Sequence, residues 1–287
     1  MHIAITGTTG RVGRALADRL AVRHTVTELP RALLDLNGLD VAGALAEVDF
    51  DVLLNPAGMT GLEQCEDEPE LARRANALAP AVLAALCRER GKKILHFSTD
   101  YVFDGRKPGL RTEEETPAPL SVYGRTKEEG ERGVLAAGGT VMRVSWVFGP
   151  EKPAFPDSII SGALAGRMLS AVADKFSLPA YTPDICDWVE GLLSLGLPPG
   201  LFHACNGGPV TSWHGIAVEV VRLLHERAGL PLRMVKDLPM AEMGAFRAPR
   251  PRHTAMATGK LEALLGRPPR DWREALRLHL ESGLLSR

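Results

Sequence analysis

Short apolar, β-branched runs alternate with longer stretches of helical spacing through the first half of the chain. Residues 2–5, 51–54, 94–97 and 141–144 have the length and composition of buried strands, whereas apolar positions recur every three or four residues over 12–22, 70–90 and 123–137. Near the start, 24–29 predicts a further strand and 39–47 a short helix. This alternation predicts an α/β fold, a Rossmann-type doubly wound parallel sheet of five or so βα units with helices on both faces.

The texture changes after Gly149-Pro150. Pro153, Pro156, Pro179 and Pro183 interrupt short segments, and 235–251 is rich in Met, Arg and Pro, so both stretches read as loops. Between them 184–195 has helical spacing and 201–204 is strand-like, which predicts a return to the sheet before the chain leaves again. Thr211-Ser212 and Asp271 are N-cap signals for helices over 213–228 and 272–280. No internal repeat interrupts the pattern.

Composition narrows the possibilities. With 45% hydrophobic and 24% charged residues over 287 positions, the chain sits among ordinary globular proteins, away from disorder and coiled coil. Lys+Arg 34 against Asp+Glu 35 leaves a formal net charge of −1, so no general basic field favours nucleic acid or an anionic membrane, and any bound polyanion is a small one. Cys65, Cys87, Cys186 and Cys205 show neither CxxC nor zinc-ligand spacing, which predicts reduced thiols in a reducing compartment. No leader pattern opens the sequence, and the apolar stretch 77–87, broken by Pro80, is too short to span a bilayer, so a cytoplasmic protein is expected. His96 and His203 lie in predicted strands without a second ligand at metal-binding spacing; they read as satisfied core residues, and no metal is expected.

Candidate chemistry begins at Gly7-Thr8-Thr9-Gly10-Arg11-Val12-Gly13, between the first strand and the first helix. There glycines permit a tight turn and bring backbone N–H groups up to a pyrophosphate, which predicts a dinucleotide site. Residues 1–150, with 184–205 returning to them, are then the dinucleotide-binding domain. Residues 151–183 and 206–287 form a smaller, interleaved C-terminal substrate lobe. The second strand ends in Glu28-Leu29-Pro30-Arg31: Glu28 can face the ribose hydroxyls of NAD, and Arg31 a 2′-phosphate. The expected cofactor is NADPH, with NADH as the alternative.

Ser98, Thr99, Asp100 and Tyr101 fall at the C-terminal edge of the strand that begins at Ile94, where open α/β sheets bind ligands. Tyr123 and Lys127 are four residues apart on a predicted helix and hence share a face. A carbonyl that accepts hydride becomes an alkoxide and needs a proton donor. A phenol beside a cation can serve near neutrality, and a hydroxyl such as that of Thr99 can hold the oxygen as charge develops.

Taken with Asn55-Pro56-Ala57-Gly58, the run from Phe97 to Gly105 and Arg143-Val144-Ser145-Trp146-Val147-Phe148-Gly149, these motifs resemble the extended short-chain dehydrogenase/reductases, and among them the dTDP-4-dehydrorhamnose reductase family. The resemblance runs nearly end to end. It implies Thr99, Tyr123 and Lys127 as the catalytic set, with Lys127 also on the nicotinamide ribose. Gly7, Thr9, Gly10, Arg11, Val12, Gly13, Arg31, Asn55, Ala57, Gly58, Asn76 and Ser98 would border the cofactor. Thr60, Asp100, Tyr101, Val102, Trp146, Arg247 and Arg250 would meet the substrate, with Arg247, Arg250 and Arg252 able to clamp a diphosphate.

The activity implied is NAD(P)H-dependent reduction of the C4 carbonyl of a nucleotide-linked 4-keto-6-deoxy sugar, a step of dTDP-rhamnose biosynthesis, by a homodimer. Tyr101 stands where related dehydratases carry a glutamate base, which favours plain reduction. Two departures fall on the substrate side: Gly58-Met59-Thr60 replaces Ala-Tyr-Thr, and Asp174-Lys175-Phe176-Ser177-Leu178-Pro179-Ala180 replaces Asp-Gln-Phe-Gly-Ser-Pro-Thr. The alternatives are a cofactor-binding regulatory subunit, resembling the methionine adenosyltransferase β subunit, and a reductase of another nucleotide sugar.

Overall fold

The computed structural model describes residues 1–38 and 40–285. In chain order the first half comprises β1 (His2–Thr6), α1 (Arg11–Leu20), β2 (Thr25–Leu29), α2 (Val41–Ala46), β3 (Val52–Asn55), α3 (Leu62–Asp67), α4 (Pro69–Arg73), α5 (Ala79–Glu89), β4 (Lys93–Thr99), α6 (Val122–Ala136) and β5 (Thr140–Val144). The second comprises β6 (Val147–Phe148), α7 (Phe155–Leu164), β7 (Leu169–Val172), β8 (Phe176–Ser177), β9 (Ala180–Tyr181), α8 (Thr182–Ser194), β10 (Gly200–His203), β11 (Thr211–Ser212), α9 (Trp213–Ala228), β12 (Val235–Leu238), α10 (Gly259–Leu265) and α11 (Trp272–Leu285).

Six strands form one parallel sheet in the order β10-β5-β4-β3-β1-β2. Because successive side chains point to opposite faces, neighbouring residues of β1 serve different cores. Ile3 and Ile5 pack with Leu16 and Leu20 of α1 and Trp188 and Leu192 of α8; Ala4 packs with Leu45, Leu83 and Val134 of α2, α5 and α6. Both faces are therefore covered, as a parallel sheet requires. The chain goes from β1 out to β2 and returns past β1 to β3, so the strand order reverses between β1 and β3. At such a reversal the loops after the strands part and leave a crevice.

Strand β10 joins β5 in register, with Leu201 opposite Val141, as the sequence predicts. A third core, outside the sheet, gathers Leu169, Val220, Leu224 and Leu276 from β7, α9 and α11. The capping signals act as read: Ser212 accepts a hydrogen bond from the Gly215 amide, and Asp271 from that of Arg273. Of the predicted helix 39–47, Leu39 lies outside the described residues; α2 starts after Asp40, whose carboxylate accepts from Gly43 N.

Three expectations are corrected. The helix predicted over 70–90 is α4 and α5 joined by a π-helical stretch, Arg74–Leu78. Pro80 has no N–H to give the carbonyl four residues back, that of Asn76, and Gly130 of α6 comes so close to this carbonyl that a Cβ there would overlap it. The 235–251 stretch, read as loop, contains β12, which pairs in parallel with β7. The proline-rich stretch that follows residue 150 contains α7, β7, β8 and β9, the last paired with β6. Among the described residues no helix is long and apolar enough to cross a membrane.

Candidate active site

The loops after β1, β3 and β4 surround the crevice. After β1, Gly7 takes φ +58°, and its carbonyl accepts from Gly10 N at 2.8 Å. A Cβ on Gly13 would fall 2.2 Å from that carbonyl oxygen, so α1 can start this close to β1 only with glycine there. Gly10, the N-cap, offers no side-chain cap, and the first turn carries no acid. The amides and partial positive charge of this helix end are thus left for an anion. Thr9 is exposed at the tip of the turn, and Val12 packs back onto the core.

Arg11 turns away from this turn. Its guanidinium donates to the carbonyls of Val147, Lys152 and Pro153, at 3.0, 3.2 and 2.7 Å, and so ties α1 to β6 and the segment after it. At the end of β2, Glu28 accepts two bonds from Arg14 and is also hydrogen-bonded by Thr8 in the glycine turn. Arg31 is 77% exposed in its side chain and lies 3.3 Å from Asp35. The acid, rather than Arg31, is the group joined to the glycine turn.

After β3, the loop is drawn toward β1 by Thr6, whose hydroxyl accepts from Ala57 N at 3.3 Å. The Asn76 side chain, fully buried on the π-helical stretch, accepts from Met59 N (2.8 Å) and donates to Met59 O (2.9 Å) and to Thr126 Oγ1 (3.2 Å). Asn76, expected beside the cofactor, braces the loop that carries Gly58 and Thr60. A Cβ on Gly58 would come within 2.8 Å of Asn76 Oδ1, so a glycine fits there. Thr60 is exposed.

After β4, Thr99 Oγ1 accepts from Tyr101 N at 3.2 Å and is in hydrogen-bond contact with the Tyr123 phenol. Burial pushes that phenol above its ordinary value, and the Thr99 contact pulls in the opposite sense. Tyr123 lies in the first turn of α6, which Ser121 caps by accepting from Gly124 N at 3.1 Å. Tyr101 meets the Tyr123 ring edge-on, 5.8 Å between centroids. One turn below, the Lys127 ammonium donates to Phe97 O at 2.5 Å and lies 3.1 Å from His96 Nε2. Desolvation lowers its pKa to about 8, partly offset by Glu131. The Ser98 hydroxyl is buried with no partner among the described residues. With the uncapped helix end and the glycine turn, this orphaned hydroxyl beside Thr99 makes the crevice fit a dinucleotide.

The residues expected on the substrate side divide. Asp100, 1% exposed, accepts from Ser177 (3.2 Å) and Thr254, which joins the end of β4 to distant parts of the chain. Val102, expected beside the substrate, is fully buried with Phe103 in the third core and presents no accessible side-chain surface. Trp146 has φ +42°, rare for a bulky residue, and its indole N–H is buried with no partner among the described residues. It lines an apolar cavity of about 110 Å³ with Phe155, Trp213, Ile216, Trp272 and Leu276.

The three arginines expected to clamp a diphosphate are ion-paired within the chain. Arg247 pairs with Asp67, Arg250 with Glu63 and Arg252 with Asp174, so each already faces a carboxylate. The first two tie their loop to α3. Sequence reasoning missed Lys175, which is fully buried. Its ammonium donates to Pro251 O at 2.9 Å and stands 4.6 Å above the Tyr101 ring. The available signal is the lysine in Asp174-Lys175-Phe176, where the family resemblance implies a glutamine.

Comparison with known proteins agrees with this geometry. Residues 1–284 match the family described as the RmlD substrate binding domain. A dTDP-4-dehydrorhamnose reductase of Mycolicibacterium smegmatis is 34% identical over 96% of this chain and 84% of its own. A probable dTDP-4,6-dihydroxy-2-methyloxan-3-one 4-ketoreductase of Streptomyces antibioticus is 36% identical over 96% and 94%. The crystal structure of a dTDP-4-dehydrorhamnose reductase from Bacillus anthracis, in complex with NADP, superposes with a TM-score of 0.89 at 26% identity, covering 98% of this chain and 99% of that one. Sharing sequence and fold from one end to the other, the chain belongs to the RmlD substrate-binding-domain family of extended short-chain dehydrogenase/reductases.

Proposed function

We propose that the protein reduces the C4 carbonyl of a nucleotide-linked 4-keto-6-deoxy sugar with NADPH, as a dTDP-4-dehydrorhamnose reductase does. The observation that carries this reading is the contact of Thr99 with Tyr123 at the C-terminal end of β4, with Lys127 one helical turn below. NADPH, when bound, supplies the hydride. The carbonyl electron pair moves to oxygen as the C–H bond forms, and the Tyr123 phenol protonates that oxygen. Thr99 steadies the oxygen while charge develops, and Lys127 lowers the cost of leaving a phenolate behind. Gly7, Gly10 and Gly13 seat the pyrophosphate, and Ser98 borders the nicotinamide end. NADH serves as a second donor, a reading supported by the link between Glu28 and the glycine turn.

In this proposal residues 1–150 and 184–205 bind the dinucleotide, and 151–183 with 206–287 form the substrate lobe. The enzyme works in the cytoplasm as a homodimer. Leu71 on α4, Leu78 at the end of the π-helical stretch and Val82 on α5, all exposed, supply an apolar stripe for self-association. Light scattering is expected to give twice the chain mass, and a monomer at micromolar concentration would refute the dimer.

Tyr123→Phe tests the chemistry. Turnover of a dTDP-4-keto-6-deoxy sugar should fall by about 10²- to 10⁴-fold while NADPH affinity stays as it was. Turnover surviving in the Phe variant would remove Tyr123 from its role. Tight NADPH binding by the wild type without turnover of any keto-sugar would move the protein to a regulatory, cofactor-binding function. A second substrate is supported by the Streptomyces antibioticus relative: another dTDP-linked keto-sugar, separated from the first by a turnover screen.

A further inference from the structure

Behind Lys127 runs a line of buried side chains that the reaction above leaves unused. Thr6 on β1, Asn55 on β3 and His96 on β4 are each 1% exposed or less, and strand register sets Asn55 directly opposite His96. Thr6 Oγ1 and Asn55 Oδ1 are 2.7 Å apart, the Asn55 amide is 3.0 Å from His96 Nδ1, and His96 Nε2 is 3.1 Å from Lys127 Nζ. The line crosses three neighbouring strands and ends on the cation beside the proposed acid.

Few other groups can set the charge of Lys127. On its own helix, Glu131 is held by Arg143 through bonds of 2.8 and 2.6 Å. From α3, the Cys65 thiol is pushed up to about 11 by burial and stays neutral. Asn76, on the π-helical stretch, is uncharged and engaged with Met59. On β4, His96 is driven well below the ordinary histidine range by burial and by Lys127, so its ring is neutral, and Val141, its ladder partner on β5, is apolar. Phe97 O and the His96 imidazole are left to hold the ammonium.

A neutral imidazole has one donor and one acceptor nitrogen. If the Asn55 carbonyl oxygen accepts from Nδ1–H, then Nε2 carries a lone pair and accepts from the Lys127 ammonium. If the Asn55 NH₂ donates to Nδ1, the ring proton lies on Nε2 and meets Lys127 as an amine. A half-turn of the Asn55 amide interconverts the two, and the Thr6 hydroxyl can donate or accept to suit either. We propose that His96 is a positioning residue for Lys127: through its tautomer, which follows the end of the Asn55 amide that faces it, it holds the lysine under the crevice and sets the fraction present as ammonium. This rests on the reading of Lys127 as the cation that assists Tyr123.

The test is a titration of the cofactor-free protein labelled with ¹³C at lysine Cε, the Lys127 signal being assigned by its loss in Lys127→Met. In the wild type Lys127 should titrate near pH 8. His96→Leu or His96→Phe, whichever retains the native circular dichroism spectrum, should lower the midpoint by about one pH unit, tenfold in proton affinity, because the ammonium loses its acceptor. His96→Gln, whose amide oxygen can accept, should restore most of the shift. The alkaline limb of the NADPH-oxidation profile should move by the same amount. An unchanged midpoint in the apolar variant, or an equal fall in the glutamine variant, would overturn the proposal. The titration needs no turnover, so a missing shift would leave the reductase reading standing, and a shifted lysine in an inactive enzyme would do the reverse.

Discussion

Gly7 concentrates two constraints in one residue. Its φ of +58° is one that L side chains adopt at a cost of about 1–2 kcal/mol, and a Cβ there would lie 2.9 Å from Ala57 Cα. Gly7→Ala therefore strains the turn and presses the β3 loop outward. Urea unfolding should show a loss of about 1–3 kcal/mol, and NADPH should bind about tenfold more weakly or worse. A destabilised variant that binds NADPH normally would show that the phosphates sit elsewhere. The same residue-scale logic separates what the sequence displays from what it conceals. Tyr123 and Lys127 are one helical turn apart and Thr99 ends a strand, so local geometry places all three. No local ruler reaches Arg247 and Arg250, whose partners Asp67 and Glu63 lie 180 and 187 residues away. As isolated cations they resemble an anion clamp; their carboxylates become visible only in the fold. His96 was legible as a satisfied core histidine, but not the identity of the group that satisfies it.

At the scale of elements, hydrophobic period marks most helices and most strands of the sheet, including the late return of β10, because a parallel strand buried on both faces is a short apolar run between turn residues; the edge strand β2, with only Leu29 buried, carries a weaker signal. Period alone does not register a π-helical turn, since one extra residue barely disturbs an amphipathic stripe. Pro80 was the available sign, read as a break in an apolar stretch and not as the release of the Asn76 carbonyl. The short β12 escaped for another reason: it pairs with β7, 66 residues earlier at Val235 and Leu169, and carries Lys236 and Asp237 at exposed positions. The π-helical turn has a consequence for binding, because it directs the Asn76 amide at both backbone groups of Met59. Asn76→Ala strands those groups and frees the 56–60 loop. The variant should lose about 1–3 kcal/mol in stability, and its NADPH dissociation constant should rise in fluorescence titration, while Tyr123 stays packed on Thr99. A rise in sugar KM alone would place the loop on the substrate side only.

Across the whole molecule, the end of β4 is bound to the remainder through buried polar groups: Asp100 accepts from Ser177 and Thr254, Ser145 bonds Ser177 at 2.8 Å, and Lys175 reaches Pro251 O over the Tyr101 ring. Burying an ammonium makes this junction pH-dependent. Desolvation lowers the pKa of Lys175 from 10.5 to about 8, with Asp100 raising it and Arg250 lowering it further. Between pH 8 and 10.5 the unfolded chain binds more protons at this site than the folded one, so stability rises with pH through that window, and the penalty is fully present below it. Lys175→Met removes the site from the balance. Relative to wild type, the variant should gain more stability at pH 7 than at pH 10, by about 2 kcal/mol, measured by urea unfolding at both pH values. The thiols and phenols that titrate in the unfolded chain above pH 9 are common to both proteins and cancel in the difference. A difference that does not change with pH would mean that Lys175 keeps an ordinary pKa in the folded protein, and that the junction around Asp100 admits solvent.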